Sequence, residues 1–173
     1  TIPGVISWTL AVAVVYSVAT IGSILGGWLP KKFINGGMDP SKARKTAMFI
    51  IACMPLAVLL ASRLGEINTW LAVGTIAIAC SAHQAWSANI FTTVSDMFPK
   101  RAVASVTGLG GMAGAVGGVL IARIAGLLLW HYAQLGKIEV GYSILFMICG
   151  SIYLVAWTVM HALAPRFTPI KLE

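Results

Sequence analysis

Long apolar stretches separated by short polar connections dominate this 173-residue chain. A helix that crosses about 30 Å of hydrocarbon needs roughly 20 mostly apolar residues. Stretches of about that length predict membrane-spanning helices, and there are five of them: residues 5–29, 46–62, 69–95, 103–130 and 140–163. The chain lacks the segments of about 10 residues with alternating polarity that are typical of a transmembrane barrel. The pattern therefore predicts an all-α transmembrane fold with five spans.

Composition supports a membrane protein, since 58% of the residues are hydrophobic and only 10% are charged. Soluble domains are about one quarter charged. The first residue is Thr1 and no signal-peptide pattern precedes the first span. We therefore expect the chain to be a fragment of a longer protein.

The basic residues, which give the chain a net charge of +7, concentrate in alternate connections. The second and fourth connections hold only Arg63 and Lys137. The first and third connections and the tail hold the larger group: Lys31, Lys32, Lys42, Arg44, Lys45, Lys100, Arg101, Arg166 and Lys171. Because an excess of basic residues marks the cytoplasmic side, we predict a cytoplasmic C-terminus and a basic cytoplasmic loop over residues 30–45. No basic stripe is interleaved with aromatic residues, so a nucleic-acid partner is not predicted.

Within the first connection, the sequence predicts three local features. Pro30 is expected to stop the first helix, and a turn is expected at Asn35, Gly36 and Gly37. Asp39 followed by Pro40 is a pattern typical of a helix start. The second span is thus expected to follow after a defined turn.

A polar cluster lies near the middle of the third span and is its most unusual feature: His83, Gln84, Trp86, Ser87 and Asn89. Burying an amide or hydroxyl without a partner costs on the order of 2 to 7 kcal/mol. At 100° per residue, His83 and Ser87 share one stripe with Gln84 beside it, whereas Asn89 lies on another side. We expect one face of the third span to line a water-filled cavity and the other face to contact a neighbouring helix. The alternative for the whole cluster is hydrogen bonding between helices throughout. For His83 the alternatives are binding of an anionic substrate by the protonated ring, sensing of a proton, and a neutral ring bonded to a neighbouring backbone.

The fourth span is rich in glycine. Residues 108–113 fit the dinucleotide-binding pattern G-x-G-x-x-A, but that motif requires a preceding strand in a soluble βαβ unit, so we reject it. Gly110, Gly114 and Gly118 recur every four residues and predict a flat face for close helix packing. This face suits either a helix that slides against its neighbour or a fixed contact between the two helices.

Arg123 lies well inside the fourth apolar stretch, near the expected outer interface. It either snorkels to that interface or contacts an anionic substrate at the outer mouth. The three cysteines lie in separate spans without metal-ligand spacing, and we expect no metal and no cofactor. The spans also contain no paired carboxylates and no nucleophile with an orienting base, so an enzyme is not expected.

Three segments, in this order and at these separations, closely resemble the C-terminal half of hexuronate transporters: "GGWLPKKF", "ARKTAM" and "AHQAWSANIFTTVSDMFPKRAVASVTGLGGMAG". Those proteins form part of the anion:cation symporter branch of the major facilitator superfamily. The resemblance implies that the five spans are the eighth to twelfth of a 12-helix fold, with the N-terminal half missing here. The last three spans would form one complete three-helix repeat.

The resemblance also implies a function: a multi-pass symporter of the inner membrane that imports hexuronates or related sugar-acid anions by alternating access. Its expected partners are the small anion, a coupling cation such as a proton, and the lipid bilayer. Carried over to this sequence, it implies that His83, Gln84, Ser87 and Asn89 contact the sugar acid. The resemblance also implies that Gly110 and Gly111 lie where relatives place a polar residue that faces the substrate, so this sequence departs from the family pattern there. The alternatives are a carrier of another organic anion and a non-transporting membrane sensor or assembly protein.

Overall fold

The computed structural model describes residues 3–170, and their side chains from Trp8 onwards. Lys171 of the basic tail lies outside this range. The described chain is all-helical, as predicted. Its elements are α1 (Pro3–Asn35), α2 (Pro40–Cys53), a 3₁₀ segment (Met54–Leu60), α3 (Ala61–Ile67), α4 (Thr69–Met97), α5 (Lys100–Gln134) and α6 (Ile138–Leu163).

Four helical stretches of the described chain are long and apolar enough to cross a membrane, one fewer than predicted. They are Trp8–Asn35, Pro40–Ile67, Lys100–Gln134 and Ile138–Leu163. The predicted third span, α4, is 29 residues long but is not among them. Its length suffices, and polar residues such as His83 and Gln84 near its middle lower its mean hydropathy. The helix that departs from membrane composition is therefore the one that carries the polar cluster.

The first helix does not stop at Pro30, contrary to the sequence prediction. Helix α1 contains Pro30 and continues to Asn35, so most of the predicted loop over residues 30–45 is helical. The helix ends where Gly37 adopts a φ of 89° and the amides of Gly37 and Met38 bond back to Ile34 and Phe33. Glycine tolerates this left-handed conformation at a helix C-terminus.

Helix α2 begins as its sequence predicts. The carboxylate of Asp39 accepts a hydrogen bond from the backbone N–H of Lys42 at 3.1 Å, and Pro40 occupies the first turn. This cap supplies an acceptor for one of the amides that have no partner within the helix. Further along, Pro55 lacks an N–H, and the α-helical path changes there to the 3₁₀ segment before α3.

The described chain divides into two compact units. The first comprises Thr1–Asn89 and Phe146–Arg166. Its core includes Ile51 of α2 and Ala85 of α4, with Trp86 packed against them. Helices α1 and α4 touch closely, because a Cβ placed on Gly26 would lie 2.5 Å from the Cα of Ala85. Small residues on both helices thus hold the polar-cluster helix against α1.

The second unit comprises Ile90–Leu145 and Phe167–Glu173. Helix α5 turns into α6 at Gly136, whose φ is 65°. Gly141 packs there against Tyr132. A Cβ placed on Gly141 would lie 3.3 Å from the Cβ of Tyr132. The tail returns to the end of α4, where the N–H of Ile170 donates to the backbone oxygen of Met97 at 2.7 Å. None of the described residues of α5 is buried.

Candidate functional site

His83 of α4 lies beside Tyr153 of α6, a residue that the sequence analysis did not identify. The Nδ1 atom of His83 is 2.5 Å from the Tyr153 hydroxyl oxygen. Trp86 packs edge-on against the same phenol ring, with 5.5 Å between the ring centroids. When the phenol donates to Nδ1, the proton of the neutral imidazole is held on Nε2. In that tautomer Nε2 is the ring nitrogen that is able to donate to a ligand.

Gln84 and Ser87 lie next to His83 along α4 and complete a polar face. His83 and Gln84 are exposed, and Ser87 is half-buried. Neither Gln84 nor Ser87 forms a side-chain hydrogen bond with any other residue between 8 and 170. In the apolar region of a bilayer, amide and hydroxyl groups need water, a protein partner or a ligand. We refer to His83, Gln84 and Ser87 as the α4 polar face.

Asn89 lies on a different side of α4 from the polar face, as its angular position predicts. Only 1% of its surface is exposed. Its side-chain nitrogen donates to the backbone oxygens of Gly26 at 2.8 Å and Ala85 at 2.9 Å. Thr93, one turn further on, is also buried. This placement favours a helix-contact role for Asn89 over the substrate contact that the resemblance implied.

The structure gives a physical reason for the Asn89 contact. Gly26 lies four residues before Pro30, and in a regular helix its oxygen would accept from the backbone N–H of residue 30. Proline has no N–H to donate. The side chain of Asn89 supplies a donor to that oxygen. One polar residue of α4 thereby allows α1 to continue through a proline.

The predicted glycine face and Arg123 both lie on α5, in the second unit. Gly110, Gly114 and Gly118 are exposed, and a Cβ placed on any of them meets no described atom within 4 Å. The described residues thus leave this face without a packing partner, and its role in helix contact stays a prediction. Arg123 is also exposed, and the choice between snorkelling and an anion contact stays open to experiment.

A second cluster in the first unit joins the start of α2 to the end of α6. Lys45, counted above as a loop residue, lies inside α2 and is buried at 6% exposure. Its Nζ donates to the backbone oxygen of Ala164, and it lies 3.4 Å from Nδ1 of His161. Trp157 donates from Nε1 to the backbone oxygen of Lys45 at 3.0 Å. Hydropathy alone did not reveal this cluster, because its groups are distant in sequence.

The chemistry of these clusters is that of hydrogen bonding. The described residues contain no group of three or more His, Cys, Asp and Glu side chains positioned to hold a metal ion. The three cysteines are free thiols. The α4 polar face offers an imidazole, an amide and a hydroxyl, which together suit a ligand rich in oxygen atoms.

Comparison with known proteins identifies two similar sequences. The chain is 30% identical over 149 residues to the hexuronate transporter of Escherichia coli strain K12 and, to the same extent, to that of Escherichia coli O157:H7. Each alignment covers 83% of this chain and 32% of the relative, so the chain spans about a third of the length of these relatives. No protein-family model and no solved structure matches it. The similarity and the apolar helices together support a multi-pass membrane protein of a transporter family.

Proposed function

We propose that the chain is the C-terminal part of a secondary transporter of the major facilitator superfamily. In this proposal the full-length protein imports hexuronates or closely related sugar-acid anions by alternating access. The observation that carries the proposal is the similarity to two hexuronate transporters over 83% of the chain. The α4 polar face adds a physical argument, because it provides a binding surface on a helix of membrane-spanning length.

A hexuronate presents one carboxylate and several hydroxyl groups. Imidazole Nε2–H of His83 is a suitable donor to the carboxylate, and the amide of Gln84 both donates to and accepts from hydroxyls. The hydroxyl of Ser87 does the same over a shorter reach. No acidic side chain lies between residues 69 and 95, and the carboxylate of α4, Asp96, lies nine residues beyond Ser87 in the last turn of the helix. The set of groups therefore suits an anionic, hydroxyl-rich solute.

In this proposal α4 acts as one firm wall of the binding site. Its close contact with α1 at Gly26 and its hydrogen bond from Asn89 oppose independent movement of the two helices. Alternating access would then arise from movement of this bundle against the rest of the full-length protein. The substrate is bound and released without any covalent step.

We place the coupling cation, a proton in the first instance, in the part of the protein that this chain does not include. The five acidic residues of the chain are Asp39, Glu66, Asp96, Glu139 and Glu173. Asp39 caps α2, and Glu66, Asp96 and Glu139 lie in terminal turns of helices. A carboxylate that carries a proton near the middle of the membrane would therefore be supplied from elsewhere in the full-length protein.

Uptake of radiolabelled galacturonate by cells that express the full-length protein tests the proposal. We expect a proton uncoupler to abolish uptake, and His83→Ala and Ser87→Ala to weaken it at equal surface expression. Ser95→Ala is the matched control. Ser95 is an exposed serine of the same helix, and its hydroxyl donates to the backbone oxygen of Phe91 one turn earlier.

Two other outcomes are informative. Uptake of a different organic anion would retain the transporter and replace the hexuronate. Absence of uptake of any sugar acid, by a protein shown to be folded and inserted, would overturn the transport proposal and favour a sensor or assembly role.

A further inference from the structure

The first unit contains an apolar groove that the proposed transport function does not use. It has a volume of about 220 Å³ and lies where α1 meets α2 and α4. Leu25 and Trp28 of α1 form one side, and Met54 lies on another. Gly22 and Gly26, which touch α4, also line it. We refer to this feature as the α1 groove.

The walls of the α1 groove remain accessible from outside the described chain. Leu25 is 52% exposed, Trp28 is 49% exposed and Met54 is 36% exposed. All three belong to stretches that are long and apolar enough to cross a membrane. In a bilayer, a half-open apolar groove on such helices suits hydrocarbon chains better than water.

One end of the groove carries a positive charge. The Nζ atom of Lys32 lies 4.9 Å from the centre of the Trp28 ring, and Trp28 itself lines the groove. Lys31 is exposed beside it, and α1 contains no acidic residue. Tryptophan with adjacent lysine is typical of the level where the hydrocarbon meets the lipid headgroups. The groove is thus lined by apolar groups with the exception of Ser81, and it is cationic at its mouth.

The dimensions match one leaflet of a bilayer. From Gly22, at the far end of the groove on α1, to Lys32 is ten residues, or about 15 Å at 1.5 Å per residue. Half of a hydrocarbon core about 30 Å thick is also about 15 Å. An acyl chain that starts at the interface therefore reaches the far end of the groove near the bilayer centre.

We infer that the α1 groove binds an anionic glycerophospholipid of the surrounding bilayer. One acyl chain lies along Leu25 and Met54, and the phosphate lies near Lys32. The apolar walls favour the chain, and the lysine distinguishes an anionic headgroup from a zwitterionic one. The inference concerns binding alone and does not depend on which solute the protein carries.

Photo-crosslinking of the full-length protein in nanodiscs tests this inference. The probe is a phosphatidylglycerol with a photoactivatable group in one acyl chain, and labelled peptides are located by mass spectrometry. We expect labelling of the peptides that contain Leu25 and Met54. Unlabelled phosphatidylglycerol should compete about fivefold better than phosphatidylcholine, the factor that corresponds to roughly one lysine near an anionic surface.

Two pairs of variants separate the groove from general lipid contact. Leu25→Trp fills the groove and should abolish labelling, whereas Leu10→Trp should not, although Leu10 is equally exposed on the same helix at 52%. Lys32→Gln should remove the preference for phosphatidylglycerol. Lys42→Gln, which changes an exposed lysine outside the groove, should leave that preference intact.

Several results would overturn the inference. These are equal competition by the two lipids, persistent labelling in Leu25→Trp, and displacement by glycerol phosphate as effective as displacement by the lipid. Failure to label the groove in a folded full-length protein would also do so, because another part of the protein would then cover it. Uptake assays play no part in this test, so its failure is distinct from failure of the transport proposal.

Discussion

The side chain of Asn89 donates a hydrogen bond at 2.8 Å to the backbone oxygen of Gly26, the atom that Pro30 leaves without its helical donor. The two residues are 63 positions apart in the chain. Proline inside a helix costs about 3 kcal/mol or more, partly through this lost bond. A buried amide on α4 therefore offsets a local defect in α1 and links the two helices at the same point.

Asn89→Ala should destabilise the protein by about 1 to 3 kcal/mol, because a buried carbonyl then loses a donor. Equilibrium unfolding of the full-length protein in mixed micelles measures the change. Asn35→Ala is a suitable control, since Asn35 is an exposed asparagine in the last position of α1.

Pro30→Ala tests the cause of that loss. Alanine restores a backbone N–H opposite Gly26, so Asn89→Ala should cost less in the Pro30→Ala background than in the natural sequence. Contacting residues typically show coupling of about 0.5 to 3 kcal/mol in such a double-mutant cycle. Equal costs in both backgrounds would show that Asn89 does not compensate for the proline.

Two neighbouring glycines of α1 should respond in opposite ways to alanine. A Cβ on Gly26 would lie 2.5 Å from the Cα of Ala85 and 2.6 Å from its Cβ, so α1 and α4 must separate to admit it. We expect Gly26→Ala to lower stability by about 1 to 3 kcal/mol. A Cβ on Gly27 meets no described atom within 4 Å, and Gly27→Ala should be neutral or stabilising through helix propensity. Equal effects at the two positions would contradict the close contact.

Local signals in the sequence were sufficient to predict most of the helical fold. Apolar length predicted where the helices lie, and the Asp39–Pro40 pair predicted the start of α2. The 100° rotation per residue also separated Asn89 from His83 around α4. Each of these depends on residues within a few turns of one another, which is the range over which a sequence pattern carries structural information.

Contacts between distant segments were the source of the errors and omissions. The sequence predicted a helix end at Pro30. That prediction was wrong because the donor that compensates for the proline, Asn89, lies on another helix. The partner of His83 was not identified, since Tyr153 is 70 residues away. Lys45 was assigned to a loop, and its partner Ala164 was not identified because it is 119 residues away. Such pairings follow from packing of helices, which periodicity in one sequence does not specify.

Lys45→Met should destabilise the first unit, although methionine suits an apolar helix better than lysine does. The substitution removes the donor to the backbone oxygen of Ala164, just beyond the end of α6, where a cation also interacts favourably with the helix dipole. We expect a loss of about 1.5 to 3 kcal/mol, as for hydrogen bonds of charged groups. Lys42→Met, at an exposed lysine of the same helix, provides the control. A neutral result for Lys45→Met would show that the hydrogen bond from Lys45 to Ala164 makes no net contribution to stability.

In the proposed transporter, Tyr153→Phe should weaken sugar-acid uptake by raising KM roughly fivefold, the factor that corresponds to a hydrogen bond of about 1 kcal/mol. The reason is orientation: phenylalanine removes the hydroxyl that lies 2.5 Å from Nδ1 of His83 and holds the imidazole in place. Tyr16→Phe, on an exposed tyrosine of α1, is the control. In a His83→Ala background the Tyr153→Phe change should have little further effect, because the imidazole that the Tyr153 hydroxyl contacts is absent. An equal rise in KM in both backgrounds would show that Tyr153 acts independently of His83, either as a substrate contact itself or through packing.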